Sequence, residues 1–161
     1  MLRPFLLSLL CALAAPAALA QQAAVSFGGL QQDTTLPVEV KADSLAVNQA
    51  DGSATFTGNV VVGQGAMRLA AASVRVEYGP GGKSIQKLHA SGGVTLASAK
   101  DAAEAREAVY TIATGAVVMS GDVLLTQGAN VISGQRLVID LKAGTGRMEG
   151  GVSTIFVPGG N

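Results

Sequence analysis

The sequence lacks most of the residues that usually carry chemistry. It has one cysteine, no tryptophan and one histidine. With Cys11 alone there is no disulfide within the chain, so the fold must rest on its core and its hydrogen-bond ladder. A lone imidazole makes neither a metal site nor a catalytic triad without partners around it. His89 sits in Lys87-Leu88-His89-Ala90-Ser91, where alternation turns Leu88 and Ala90 inward and His89 toward solvent. Aromatic residues make up 4% of the chain, few for the stacking surfaces of a sugar site. Basic and acidic residues balance at 11 each with no basic stripe, which argues against nucleic acid as a partner. Glu104 and Glu107 come nearest to paired carboxylates, but Arg106 beside them marks a solvated, charged face. Gly79-Pro80-Gly81-Gly82 matches no phosphate-binding pattern and reads as a turn. No enzyme activity, cofactor or metal is therefore expected.

The N-terminus has a different composition from the rest. Arg3 opens a short positive region, Phe5 to Ala15 is apolar, and Ala18-Leu19-Ala20 places small residues where a signal peptidase reads. Residues 1–20 are expected to be a cleaved signal peptide that directs export to the periplasm and carries Cys11 away. The apolar run is short and broken by Pro16, whereas a spanning helix needs about 20 apolar residues. Residues 21–37 read as a flexible leader with Phe27 and Leu30 as isolated apolar points. Residues 38–157 read as one folded domain, and 158–161 as a tail.

What the chain does have is alternation and repetition. Val74, Val76 and Tyr78 alternate with Arg75 and Glu77, which predicts a strand with one apolar face. Gly58-Asn59-Val60-Val61-Val62 aligns with Gly121-Asp122-Val123-Leu124-Leu125, and weaker copies follow at Gly92-Gly93-Val94 and Gly150-Gly151-Val152. The spacing is about 30 residues, the rhythm of stacked β units that cannot bury their apolar faces singly. A second signature keeps the same rhythm: Ala42-Asp43-Ser44-Leu45, Ala71-Ala72-Ser73-Val74, Ala105-Arg106-Glu107-Ala108 and Gly134-Gln135-Arg136-Leu137. Its third copy runs through Ala99 to Ala108, whose alanines and charges would suit a helix, and favours strand there. Glycine inside a strand pattern often marks a bulge or tight corner. Each Gly-Asx or Gly-Gly pair therefore predicts a corner where a strand passes from one wall to another. The period alone allows a jellyroll or a solenoid.

The interior should hold a row of aliphatic side chains. The expected inward positions are Phe56, Val60 and Val62, then Leu69, Val74, Val76 and Tyr78, then Leu88, Val94 and Leu96. They continue through Tyr110 and Ile112, Val123 and Leu125, and finally Leu137, Ile139 and Leu141. Such an interior suits acyl chains or a dry core. Val38-Glu39-Val40 near one end and Thr154-Ile155-Phe156-Val157 near the other are candidate edge strands. Val38, Val40, Ile155 and Val157 are the residues there expected to meet partners.

The run Ala42-Asp43-Ser44-Leu45, then Ala54-Thr55-Phe56-Thr57-Gly58-Asn59-Val60-Val61-Val62 with Gln64-Gly65, resembles the OstA-like core of the LptA family. So does Ser120-Gly121-Asp122-Val123-Leu124-Leu125-Thr126-Gln127-Gly128-Ala129-Asn130, continuing through Gly134 to Leu141. The resemblance covers Val38 to about Val157. It implies an all-β fold: an elongated, slightly twisted β-jellyroll of antiparallel strands, open at both ends. It also implies a periplasmic carrier of lipopolysaccharide that holds the lipid A acyl chains in an apolar groove. The partners it implies are an LptC-like inner-membrane component, an LptD-like outer-membrane component and other copies of the chain, joined head to tail. The same features allow a second reading, a structural β module of the envelope that self-associates without carrying lipid.

Overall fold

The computed structural model describes residues 23–26 and 29–159, and the expected signal peptide lies outside them. The alternating runs fold into antiparallel strands: β1 (Ala23–Ser26), β2 (Glu39–Lys41), β3 (Ser44–Asn48), β4 (Ser53–Gln64), β5 (Met67–Tyr78) and β6 (Ile85–Ala97). The rest are β7 (Asp101–Thr111), β8 (Ala116–Gln127), β9 (Asn130–Asp140), β10 (Thr145–Glu149) and β11 (Ser153–Ile155). A 3-10 turn, Pro80–Gly82, links β5 to β6 where the glycine-rich turn was predicted. The stretch with helix-forming residues is strand β7.

The strands form one meandering sheet in the order β1-β10-β9-β8-β7-β6-β5-β4-β2. β10 and β11 both pair β9, so they are two arms of one strand interrupted at Gly150-Gly151. β2 and β3 likewise both pair β4, interrupted at Ala42-Asp43. The long strands break at the same level. Gly58-Asn59 of β4 oppose the single residue Ala72, Gly92-Gly93 of β6 oppose Arg106, and Gly121-Asp122 of β8 oppose Gln135. Two residues facing one is a β-bulge, which bends the strand. The two recurrent signatures of the sequence are thus the two sides of one row of corners.

Backbone angles explain the residue types. The first residue of each pair has φ of 84° at Gly58, 80° at Gly92, 85° at Gly121 and 85° at Gly150. The second also has positive φ, 47° at Asn59 and 48° at Asp122, a region that Asn and Asp visit more readily than other side chains. Their side chains tie the corner to its neighbour. Asn59 Nδ2 donates to Asp43 Oδ2 at 2.8 Å, and Arg106 donates to the Asp122 carboxylate.

The corners fold the sheet over itself into two walls. Tyr110, near the end of β7 on one wall, donates its hydroxyl proton to Gln64 Oε1 at the end of β4 on the other, at 2.7 Å. Val74, Val76, Leu88, Leu137 and Ile139 on the first wall and Val62, Leu69, Leu96 and Leu125 on the second are all 0–1% exposed. A single open layer would leave one face in water; burial on this scale requires a facing layer. The outward positions carry the charges, among them Arg75, which contacts Asp51 at 3.0 Å and Glu77 at 3.5 Å.

Of the segment read as a flexible leader, the described residues 23–26 and 29–37 are part of the fold. β1 pairs β10, and Leu30 is 2% exposed inside the core cluster. An isolated leucine carries no periodicity, so alternation could not place it.

One exposed cluster gives a pH expectation. Arg136 and Arg147 donate to Glu149 at 3.1 and 2.7 Å and hold its carboxyl below its usual 4.5. A depressed carboxyl contributes stability that is present above its unfolded value and is lost as pH falls through the folded one. Glu149→Gln should therefore flatten part of the acid limb of melting temperature against pH, below pH 4.5, and leave the neutral region little changed. An unchanged acid limb would contradict this.

Candidate functional site: the interior between the walls

The inward face of every long strand is apolar, and the corners aim it into one volume. From the first wall come Val74 and Val76 (β5), Leu88 (β6), Tyr110 (β7) and Leu137 and Ile139 (β9). From the second come Val60 and Val62 (β4), Leu69 (β5), Val94 and Leu96 (β6), and Val123 and Leu125 (β8). All of these, with Leu141, are at most 2% exposed. Across each corner the strand with the extra residue keeps its inward parity, as from Ala90 to Val94 and Met119 to Val123, while the facing strand shifts by one, as from Ala71 to Val74 and Ala105 to Ala108.

Three expected interior residues are placed differently. Phe56 and Ile112 are half-buried against the core. Tyr78 is 38% exposed, because the register slips between Glu77 and Tyr78 and the strand ends there. Extending the alternation would have found Met67, two residues before Leu69, and Val117 and Met119, six and four residues before Val123; all five are buried. The small residues Ala103 and Ala108 are buried too, and their size lets the walls approach.

Among the described residues Ser53, Gln64 and Asp101 are buried polar side chains, and Gln64 is the most deeply buried of them. Gln64 is 1% exposed at the inward end of β4, after Val60 and Val62. Its Oε1 accepts from Tyr110, and its Nε2 donates to Thr34 O at 3.1 Å and Leu36 O at 2.9 Å. Burial pushes the Tyr110 phenol up to about 12, so it stays a neutral donor. A carboxamide and a phenol, both hydrogen-bonded, offer neither nucleophile nor base. His89 lies outside, half-buried, with Nε2 3.0 Å from Glu77 Oε1 and Arg75 as its cross-strand partner. Among the described residues, no three His, Cys, Asp or Glu side chains gather as a metal site.

The ends of the interior differ from its middle. Leu45 and Val47 of β3 pair Phe56 and Ala54 and share their inward face. With no further strand beyond them among the described residues, they are 55% and 65% exposed. Val38 and Val40 flank them, half-buried against the core. At the opposite end Ile155, Phe156 and Val157 are exposed, and among the described residues β11 pairs β9 alone.

Comparison with known proteins gives matches of three kinds. A family model described as LptA/(LptD N-terminal domain) LPS transport protein matches residues 39–145. An uncharacterized protein of Rhizobium meliloti (strain 1021) is 31% identical over 145 residues, covering 85% of this chain and 78% of that protein. In fold, the chain is similar to the crystal structure of LptH from Pseudomonas aeruginosa, with a TM-score of 0.70 and 19% identity, covering 79% of this chain and 99% of that one. LptH is described as the LptA-homologous periplasmic component of the lipopolysaccharide transport device.

Proposed function

We propose, for a chain that belongs to the LptA/(LptD N-terminal domain) family of lipopolysaccharide transport proteins, that its interior is the path of the lipid. The role in lipopolysaccharide transport comes with the family; the carriage itself is our reading. The observation that carries it is the unbroken row of aliphatic side chains between the walls, from exposed Leu45 and Val47 at one end to Ile132 and Met148 near the other. Burying an acyl chain gains about 0.8 kcal/mol per CH₂, so an apolar interior holds lipid without any reaction. Uniform lining matters as much as depth. A chain moving past similar valines and leucines meets no large step in free energy, and the work of directional transport falls to other components.

The chain acts in the periplasm in this reading, exported by residues 1–20. Its two ends are the docking points. Edge strands leave backbone N–H and C=O groups free to accept a further strand. β2 and β3 at one end and β11 at the other would take an LptC-like component, an LptD-like component or another copy, head to tail.

Photoreactive residues test the path in cells. Placed at Val62, Val76, Leu125 or Ile139 they should capture lipopolysaccharide, and at Arg75 they should not. Equal labelling at both sets would overturn the assignment. A self-associating structural module is the second reading, favoured by the exposed apolar ends. It requires concentration-dependent association and no lipid capture at any inward site.

A further inference from the structure

The interior is closed along its side by the chain's own segment 29–37. These residues join no strand and lie across the mouth between the rims of the two walls. On the first rim, Gln32 N donates to Leu141 O at 2.8 Å and Gln31 Nε2 to Lys142 O at 3.1 Å. On the second, Ser98 Oγ donates to Gly29 O, Gln32 Nε2 to Gln64 O, and Gln64 Nε2 to Thr34 O and Leu36 O. Within the segment the Asp33 carboxylate accepts from Thr35 N and Thr35 Oγ at 2.9 and 2.6 Å, which folds it into a compact turn. Only Leu30 drives a large side chain into the core.

We propose that residues 29–37 are a displaceable strap that fills the lateral mouth of the empty carrier, with Gln64 as its latch. The inference rests on the lipid reading above and adds its regulation. An amphiphile with a bulky sugar head cannot thread that head through an apolar interior. Its acyl chains must slide in sideways while the head stays in water, and the strap occupies that route. Its fastening suits release. The anchors are neutral hydrogen bonds that water can replace, and most on the second rim pass through one residue. A glutamine at this inward position also ties the two walls, since its Oε1 accepts from the Tyr110 hydroxyl. Here both of its amide protons go to strap carbonyls, so it distinguishes the fastened from the open state. The segment is tethered at both ends, by β1 on β10 and by β2 on β4, so it swings aside without being lost.

A reversible lock decides the matter. A Cβ built on Gly29 lies 3.4 Å from Lys100 Cβ and 2.7 Å from Asp101 Oδ2, so the Asp101 carboxylate must turn aside to admit it. The first distance is close to the span of about 3.5–4.5 Å that a disulfide needs. In a Cys11→Ser background, Gly29→Cys with Lys100→Cys fastens the strap when oxidised and frees it when reduced. Gln32→Ala, and separately Gln64→Ala, loosen it; the first touches only strap contacts, so its fold should hold. The oxidised lock is expected to slow lipopolysaccharide uptake at least about tenfold, with reductant restoring it and Gln32→Ala exceeding the wild-type rate. Uptake by the oxidised lock at the wild-type rate would overturn the strap. If the unmodified chain takes up no lipid, the lipid reading fails and the apolar dye anilinonaphthalene sulfonate decides the strap alone. Dye fluorescence that rises in Gln32→Ala and falls in the oxidised lock upholds it. Equal fluorescence in all three overturns it.

Discussion

Replacing Gly92 with alanine should destabilise the fold by about 2–4 kcal/mol, whereas the same change at the adjacent Gly93 should cost about 1–2 kcal/mol. The two glycines have nearly equal positive φ, 80° and 86°. An added Cβ thus meets the same backbone strain at both. The surroundings differ. A Cβ on Gly92 would lie 2.6 Å from Ala72 Cβ on the facing side of the corner, while one on Gly93 has nothing within 4 Å. The difference between the two variants therefore measures the close approach of strands at the corner. Adding Ala72→Gly to Gly92→Ala should recover that difference and leave the strain common to both. Denaturant unfolding of the three variants is the measurement. Equal losses at the two glycines would mean that the corner does not hold its strands as close as described.

Leu125→Ala should cost about 2–5 kcal/mol, and Leu124→Ala about 1 or less. The two leucines are neighbours on β8 but face opposite ways: Leu125 is 0% exposed between the walls, and Leu124 is 37% exposed outside. Truncating Leu125 removes apolar burial and leaves a void that rigid walls fill only in part. The pair also carries a functional expectation. The void would lie where an acyl chain is proposed to run, and a ligand that binds the folded state raises its apparent stability. Lipopolysaccharide should therefore raise the melting temperature of Leu125→Ala more than that of Leu124→Ala. Equal gains would separate the lipid site from the core.

Much of this architecture was legible in the residues because it rests on local rules. Alternation placed Val60, Val62, Val94, Leu96, Val123 and Leu125 inward, and the structure buries all six. The repeated Gly-Asx and Gly-Gly pairs marked corners, since few residues other than glycine take a φ near 85°. Repetition also settled β7, where helix propensity pointed the other way; its pairing with β6 and β8 prevails over the preference of its alanines.

What was not legible depends on contacts distant in the chain. Tyr78 follows the alternation, but a register slip against β6 ends the pattern one residue early. Leu30 has no periodic signal, and Gln64 continues the alternation of Val60 and Val62 but is polar, so distant contacts account for both: Gln64 bonds to Thr34 and Leu36, and Ser98 reaches back to Gly29 beside Leu30. The strap is invisible to pattern reading because it is irregular. Its polar, glycine-containing composition is the same whether the segment is loose or fastened across a mouth.

The central claim is that acyl chains run in the interior between the walls, and an interior already filled by its own side chains must widen to take them. Spin labels at exposed Ala99 and Lys142, on the turns of opposite rims, measure this by the distance between them. That distance is expected to widen when lipopolysaccharide is added and to stay unchanged with its deacylated sugar portion. Bound lipopolysaccharide with no change in the distance would contradict an interior that opens to take the lipid.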